Sequence, residues 1–115
     1  LIFDGFSREA EISEAELDLL KQRENLLQLE YDLKAKLKNT ILSINSLQTQ
    51  IRAVQSSLEF AKESLRLSTE RYRVGVGSQL EVLEARTNYN NLLSTYYLLL
   101  YQYNSSLANL ERLTQ

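Results

Sequence analysis

The sequence predicts an all-α fold, a long antiparallel helical hairpin that is coiled-coil-like and has arms of unequal length. Three observations lead to this prediction. The chain contains no proline in its 115 residues, so no proline interrupts the helical hydrogen-bond ladder. Apolar residues recur at heptad spacing along two long stretches. Between those stretches stand two of the three glycines, Gly75 and Gly77, which suit a reversal of the chain.

The first six residues are expected to be extended. Residues 1–6 are mostly apolar and include Gly5, which is typical of a strand end. A long helix is predicted over residues 7–73, with Ser7 as its N-cap. Negative charge near the positive end of the helix dipole favours this start. The acidic residues that provide it are Glu9, Glu11, Glu14 and Glu16.

The long helix carries an apolar seam with alternating steps of four and three residues, which is a heptad pattern. A helix of roughly 65 residues would be about 100 Å long at 1.5 Å per residue. The seam comprises Leu33, Leu37, Thr40, Ile44, Leu47, Ile51, Val54, Leu58, Ala61, Leu65, Ser68 and Tyr72.

Residues 74–77 are predicted to form the turn at the tip of the hairpin. Gly75 and Gly77 can adopt the left-handed conformation that such a reversal requires. A return helix is predicted over residues 78–113. At its start, the Ser78 hydroxyl can accept a hydrogen bond from the Glu81 N–H while the Glu81 carboxylate accepts one from the Ser78 N–H, a reciprocal capping box.

The return helix has two apolar rows. A helix with two adjacent apolar rows needs two neighbours, and the hairpin partner can cover only one of the rows. Tyr97 and Tyr101 widen the apolar surface further. The first row is Val82, Ala85, Tyr89, Leu92, Tyr96, Leu99 and Tyr103, and the second is Leu93, Leu100 and Leu107.

The unequal arms predict that the overshooting part of the long helix is covered either by a further helix of the parent protein, stacked end to end beyond Leu113, or by a second copy of the chain. The long helix would overshoot the return helix by roughly 45 Å at 1.5 Å per residue, which leaves apolar residues without a partner in the chain. Because the chain begins at Leu1 and has no methionine, we expect an excised part of a longer protein. For this fragment we expect a dimer or higher oligomer in an antiparallel bundle. The overshooting apolar residues include Leu19, Leu20, Leu26, Leu27 and Leu29.

The composition argues against several classes of function. Histidine and cysteine are both absent, so the usual general base near neutral pH and the commonest metal ligands are missing, and we expect no enzyme, metal site or cofactor. The 13 basic and 15 acidic residues are spread along the chain, so we expect no nucleic-acid partner. The most apolar run, residues 92–101, is about half the roughly 20 residues that a spanning helix needs.

Two segments resemble the outer membrane efflux protein family, the TolC-like channels. Residues 1–5, Leu-Ile-Phe-Asp-Gly, are similar to the segment in which family members leave a β-barrel and begin a long periplasmic helix. Residues 70–85, with Tyr72, Gly75 and the Glu81-Val82-Leu83 stretch, resemble the turn motif of that family. The resemblance covers essentially the whole chain.

The resemblance implies an architecture and a set of partners. In that family a long helix is paired with two shorter stacked helices in each of two repeats, so this chain would be the hairpin of one repeat in the periplasm. The parent would be a trimer in the outer membrane whose helices form an α-barrel tunnel. It would act as a passive exit duct for tripartite efflux or type I secretion. Its partners would be a periplasmic adaptor, or membrane fusion, protein and an inner-membrane transporter, and it would contact the membrane only through the missing β-barrel.

The resemblance also implies roles for residues at the tip. It places the adaptor-docking site at Val74, Gly75 and Val76, for which a purely turn-forming role stays open. It places the channel entrance and its gating contacts at Arg71, Tyr72, Arg73, Glu81 and Glu84. For Tyr72, seam packing is the competing role, and for Glu81 it is the helix cap. The chain departs from the family pattern in two places. Phe6 stands where the family often has a second glycine, and Val76 and Gly77 replace the more polar turn residues of some members. Both departures affect which gating contacts the resemblance implies in detail.

Two other classes of function compete with the channel. A coiled-coil interaction module, such as the hairpin of a periplasmic adaptor, would normally have arms of comparable length, so the unequal arms favour the channel. An enzyme would need Glu81 and Glu84 in a cleft, whereas a hairpin tip is exposed. The exported substrate depends on the pump and the adaptor, and this segment does not identify it.

Overall fold

A computed structural model describes residues 2–115, and side chains from Gly5 onward. The described chain forms two helices, α1 (Ile2–Arg73) and α2 (Gln79–Thr114), joined by residues 74–78. The prediction of an all-α helical hairpin is confirmed, and the described residues contain no strand. The chain divides into two compact units, of which the first ends at Lys38 and the second is Asn39–Gln115.

The start of α1 differs from the prediction of an extended segment at residues 1–6. Leu1 lies outside the described residues, and residues 2–6 are already helical. A helix satisfies its own backbone hydrogen bonds, whereas an extended segment needs a neighbouring strand, and the described residues offer none. Gly5 has no neighbouring atom within 4 Å of an added Cβ, so no close contact requires glycine there.

The first unit exposes its side chains along its length. Every described residue from Gly5 to Lys36 is exposed, including leucines whose exposed fractions exceed half, such as Leu20 and Leu27. Apolar side chains on both sides of such a helix normally mark surfaces that another chain segment covers. The apolar residues that we expect to lack a partner in this part of α1 are therefore exposed.

The second unit contains the apolar seam between the two helices. Its three buried apolar residues, Ile44, Ala61 and Leu99, all occupy predicted seam positions. The predicted seam residues from Thr40 to Ser68 and all seven in the first row of α2 are buried or half-buried. The residues at the two ends of the predicted seam are exposed instead, Leu33 by 44% and Tyr72 by 49%.

Two hydrogen bonds between glutamine and tyrosine show the register of the two helices in the second unit. The Gln48 Nε2 donates to the Tyr103 hydroxyl at 3.2 Å, and the Gln55 Nε2 donates to the Tyr96 hydroxyl at 3.4 Å. The two pairs are one heptad apart on each helix, and the residue numbers of each pair add to 151. A residue n on α1 therefore lies level with residue 151 − n on α2.

Within the described residues, neither α1 nor α2 contains a stretch that is long and apolar enough to span a bilayer.

Candidate functional site

The C-terminus of α1 closes in a Schellman motif centred on Gly75. The Gly75 N–H donates to the Tyr72 carbonyl oxygen at 3.0 Å, and the Val76 N–H donates to the Arg71 carbonyl oxygen at 2.9 Å. This pair of bonds satisfies the Arg71 and Tyr72 carbonyl groups in the last turn of the helix. Gly75 has φ 81°, a left-handed conformation in which a side chain would be strained. Gly75 is therefore needed for its backbone conformation.

Gly77 is needed for a different reason. Gly75 is the one described residue with positive φ, so Gly77 does not share the conformational role that the sequence suggested for both glycines. Its N–H donates to the Arg71 carbonyl oxygen at 2.9 Å. A Cβ at Gly77 would lie 3.0 Å from the Arg71 Cβ and 3.0 Å from the Glu81 Oε2. Gly77 thus allows the turn to pack closely against the end of α1.

Ser78 caps the start of α2. Its backbone is extended, with φ −100° and ψ 157°, and its hydroxyl accepts a hydrogen bond from the Glu81 N–H at 3.2 Å. The reciprocal bond of the predicted capping box is absent, because no hydrogen bond in the described chain joins the Ser78 N–H to the Glu81 carboxylate. The carboxylate instead lies beside Gly77. In this structure Glu81 contributes negative charge to the first turn of α2.

The turn presents apolar side chains to solvent. Val74 is 61% exposed and Val76 is 70% exposed, although valine is among the residues most often found inside proteins. Both flank Gly75, whose missing side chain leaves the backbone accessible between them. The tip is therefore a small exposed apolar surface on a hydrogen-bonded turn, and such a surface suits contact with another protein.

A groove on one face of the hairpin beside the tip combines apolar side chains with one cation. It has a volume of about 470 Å³, and its lining includes Tyr72 from α1 and Leu80, Leu83 and Arg86 from α2. Leu80 and Leu83 are both more than half exposed.

The other face of the hairpin carries a groove that contains the acidic residues. It has a volume of about 510 Å³, and its lining includes Arg71, Leu67, Glu81 and Glu84. Glu81 and Glu84 are three residues apart, so helical geometry places them on the same side of α2. Neither has an ion pair within the described chain.

The three predicted gating residues that belong to α1, Arg71, Tyr72 and Arg73, do not lie together on one side of the hairpin. Arg71 lines the acidic groove, and Tyr72 lines the groove on the opposite face. Arg73 forms an ion pair with Glu70 of its own helix at 2.8 Å. The structure brings Arg71 together with Glu81 and Glu84 and leaves Arg73 outside that group.

Comparison with known families decides what kind of protein carries this tip. The family model described as outer membrane efflux protein matches residues 1–114. The chain belongs to the outer membrane efflux protein family. The members of this family are components of outer-membrane efflux channels, and it is not a family of enzymes. No curated protein and no solved structure matches the chain.

The described surface of this efflux protein segment offers features that suit binding. In the part of the chain that the structure describes, no group of three or more acidic residues could hold a metal ion. Buried side-chain polar atoms without a hydrogen-bond partner are also absent from that part. Its surface features include the exposed tip, the two grooves beside it and a groove of about 640 Å³ between the helices near Leu47 and Tyr101.

Sequence reasoning missed two sets of residues in this efflux protein. Gln48 and Gln55 were not singled out, although they recur at heptad spacing beside the seam, as Tyr96 and Tyr103 do on the facing helix. The hydroxyls of Tyr96 and Tyr103 accept hydrogen bonds from these two glutamines of α1. Arg86 was also overlooked, and its position one heptad before Leu93 could have placed it at the end of the second apolar row.

Proposed function

We propose that this segment forms part of the periplasmic wall of a trimeric outer-membrane export channel. The single observation that carries the proposal is the family match over residues 1–114, which coincides with a hairpin of two long helices. A hairpin of this kind can line a duct without chemistry of its own. Transport through such a duct is passive, and a transporter in the inner membrane provides the energy.

We further propose that an adaptor protein in the periplasm docks on the tip and links the channel to that transporter. The exposed Val74 and Val76 support this role, because they lie on either side of Gly75 on a turn that three backbone hydrogen bonds to Arg71 and Tyr72 hold in place. A backbone without a side chain permits close approach by another chain. The arrangement serves tripartite efflux or type I secretion equally well.

The docking role is tested by drug-resistance assays on the full-length channel protein. Val76→Asp should abolish adaptor-dependent efflux, because a charge would have to be buried in the contact, whereas Val76→Thr should retain most of it. Gly75→Trp should also abolish efflux, and Gly75→Asn serves as its control because asparagine tolerates the left-handed conformation. Assembly of each variant is checked by chemical crosslinking of the trimer. Normal resistance in Val76→Asp and Gly75→Trp would contradict the docking role.

Glu84 is proposed to line the periplasmic entrance of the channel. It is exposed, and it has no ion pair within the described chain. In a threefold assembly its copies would form a ring of negative charge, which favours cations. Glu81 would add to that ring, and Arg71 would balance part of it from the same groove.

The entrance role is tested by conductance measurements in planar bilayers. Glu84→Gln should lower the preference of the full-length channel for cations, and Glu84→Asp should retain it. Glu111→Gln, near the other end of α2, is the control for a general change of charge. An unchanged cation preference in Glu84→Gln would show that Glu84 does not line the entrance.

Tyr72, Arg71 and Arg73 are proposed as the side of the tip that contacts neighbouring hairpins in a closed state. Tyr72 supports this role because it is half exposed and lines a groove with Leu80 and Leu83. Tyr72→Ala should therefore raise the single-channel conductance of the closed protein. A conductance equal to that of the wild-type channel would restrict Tyr72 to packing within the hairpin.

A further inference from the structure

The helices of the second unit meet along rows of residues that repeat every seven positions. On α2 three tyrosines recur at this spacing, and two leucines recur beside them. Two glutamines recur in the same way on α1. A helix with such a repeat presents the same residue types to its partner after a shift of one heptad. The tyrosines are Tyr89, Tyr96 and Tyr103, the leucines are Leu92 and Leu99, and the glutamines are Gln48 and Gln55.

A shift of α2 by one heptad toward the start of α1 keeps the apolar seam intact. In the register of the structure, three half-buried residues of α1 each lie within one residue of the level of a tyrosine or leucine of α2. After the shift, which gives an arrangement that we call the second register, each of them meets the preceding member of the same row. Leu47 exchanges Tyr103 for Tyr96, Ile51 exchanges Leu99 for Leu92, and Val54 exchanges Tyr96 for Tyr89.

The polar pairs survive the same shift. In the second register Gln48 is level with Tyr96 and Gln55 is level with Tyr89, so both glutamine–tyrosine hydrogen bonds have a replacement of the same kind. A shift in the opposite direction places Gln48 level with Leu110, whose side chain has no hydrogen-bonding atom. The shift toward the start of α1 is therefore the favoured one.

Charged side chains do not fix the register along this part of the hairpin. Residues 87–110 of α2 contain no charged residue, and residues 39–58 of α1 contain only Arg52. Charged residues beside a seam normally select one register, because a shifted register separates opposite charges or brings like charges together. The seam in the middle of the second unit lacks this selection.

The turn, in contrast, fits only the register of the structure. Residues that lie level have numbers that add to 151, so the chain reverses between Gly75 and Val76. Gly75 has the left-handed φ of 81° that this reversal uses, and the Val76 N–H is hydrogen-bonded to the end of α1. In the second register the reversal would be centred at Tyr72, where a left-handed residue with a side chain would be strained. The turn therefore distinguishes two registers that the seam does not.

We infer that the turn at residues 74–78 selects the register of the hairpin, and that disruption of this turn lets α2 slide by one heptad toward the start of α1. The displacement is about 10 Å at 1.5 Å per residue. Because the same turn exposes Val74 and Val76, a protein that docks there and alters the turn acts on the register of the second unit. This last consequence rests on the proposed docking role, whereas the selection of the register does not.

Pairs of spin labels measure the register directly, because the chain has no cysteine of its own. Labels at Asn45→Cys and Thr87→Cys, both at exposed positions, should be closer together in the second register by about 10 Å. Labels at Ala53→Cys and Ala108→Cys, also exposed, should be farther apart by a similar distance. The distances are measured by double electron–electron resonance in labelled chains that are diluted with unlabelled chain. Opposite changes in the two pairs distinguish sliding from local unfolding.

With the native turn, each pair of labels should give a single distance. Gly75→Val combined with Ser78→Ala should add a second population, in which the first pair is closer and the second pair is farther apart. The matched control is Gly75→Asn with Ser78→Asp, because asparagine tolerates the left-handed conformation and aspartate preserves the cap, and it should keep the single distance. Unchanged distances in a Gly75→Val, Ser78→Ala chain that keeps its helix content by circular dichroism would overturn the inference. Two distances with the native turn would also overturn it.

A deletion of residues 62–68 tests the seam while the turn stays native. It removes one heptad of α1 between the seam and the turn, so the native turn now imposes the second register. This chain should unfold cooperatively in urea, and double-mutant cycles should show coupling of Gln48 with Tyr96 and of Gln55 with Tyr89.

A deletion of residues 62–66 is the matched control for the heptad deletion. Loss of five residues rotates the seam by about 140° at 3.6 residues per turn, so this chain should lose the cooperative transition. Equal stability of the two deletion variants, or an absence of coupling in the heptad deletion, would show that the seam fits one register only and would overturn the inference. None of these measurements requires an adaptor or transport, so their failure is distinguishable from a failure of the efflux and conductance assays.

Discussion

The Gly77 N–H donates a 2.9 Å hydrogen bond to the Arg71 carbonyl oxygen, and a Cβ on Gly77 would lie 3.0 Å from the Arg71 Cβ. The turn is therefore packed against the last full turn of α1. Gly75, two residues earlier, has no atom within 4 Å of an added Cβ but has φ 81°. Two glycines in one short turn thus serve different physical needs, space in one case and conformation in the other.

The two glycines should respond differently to asparagine. Gly75→Ala should lower the free energy of unfolding by about 1 kcal/mol, the order of magnitude for a left-handed residue with a Cβ, and Gly75→Asn should recover part of this loss. Gly77→Ala should also destabilise, because its Cβ is too close to Arg71, and Gly77→Asn should give no recovery. Urea denaturation followed by circular dichroism measures all four. Recovery by asparagine at position 77 would contradict this assignment.

Ser78 and Glu81 should also be separable by mutation. Ser78→Ala removes the hydroxyl that accepts the Glu81 N–H and should cost about 1 kcal/mol, while Ser78→Asp should preserve the cap. Because the Glu81 carboxylate does not return a hydrogen bond, Glu81→Ala should cost less, and its effect should fade at high salt as a dipole interaction does. Thermal denaturation at low and at high salt concentration distinguishes the contribution of the Ser78 cap from that of the Glu81 charge. A salt-independent loss in Glu81→Ala equal to that of Ser78→Ala would indicate a full capping box.

The two helices were predictable from the sequence because local signals agreed with one another. Heptad spacing from Thr40 to Ser68 identified the residues that become buried between α1 and α2, and Ser78 identified the start of α2. Each of these signals depends only on one helix and the helix that packs against it. They therefore predict the structure correctly in the part of the chain where α1 and α2 pack together.

The features that sequence reasoning misjudged depend on contacts that no single segment encodes. Residues 2–6 were expected to be extended, and in the absence of a neighbouring strand they are helical. Gly77 resembled Gly75 in sequence, and only the distance to Arg71 separates their roles. The pairing of Gln48 with Tyr103 required the register of the hairpin, which the turn sets from a distance of many residues.

The ion pair between Glu63 and Arg66 should make a small, pH-dependent contribution to the stability of α1. The hydrogen bond from Arg66, at 2.6 Å, lowers the pKa of Glu63 below its ordinary value of 4.5, and the pKa of Arg66 is raised by the same hydrogen bond. A carboxyl group whose pKa is lowered on folding stabilises the fold at pH values above its pKa in the unfolded state. This stabilisation is lost as the pH falls through the pKa of the folded state.

Titration of the Glu63 carboxyl carbon by NMR measures this effect. In Arg66→Gln the pKa of Glu63 should rise toward its ordinary value, and the difference between the two proteins should shrink in high salt because both side chains are exposed. Arg66→Lys keeps the charge and should retain part of the shift. An identical Glu63 titration in the wild-type protein and in Arg66→Gln would show that the ion pair does not persist in solution.

The two glutamine–tyrosine hydrogen bonds should differ in strength. Gln48 and Tyr103 are half-buried and 3.2 Å apart, whereas the Gln55–Tyr96 pair is exposed and 3.4 Å apart. A hydrogen bond between neutral groups contributes about 0.5–1.5 kcal/mol, and competition with water reduces this at an exposed site. A double-mutant cycle of Gln48→Ala and Tyr103→Phe should therefore give a measurable coupling energy in urea denaturation. The matched cycle of Gln55→Ala and Tyr96→Phe should give a smaller one, and a larger coupling at the exposed pair would show that the register depends on the region nearer the tip.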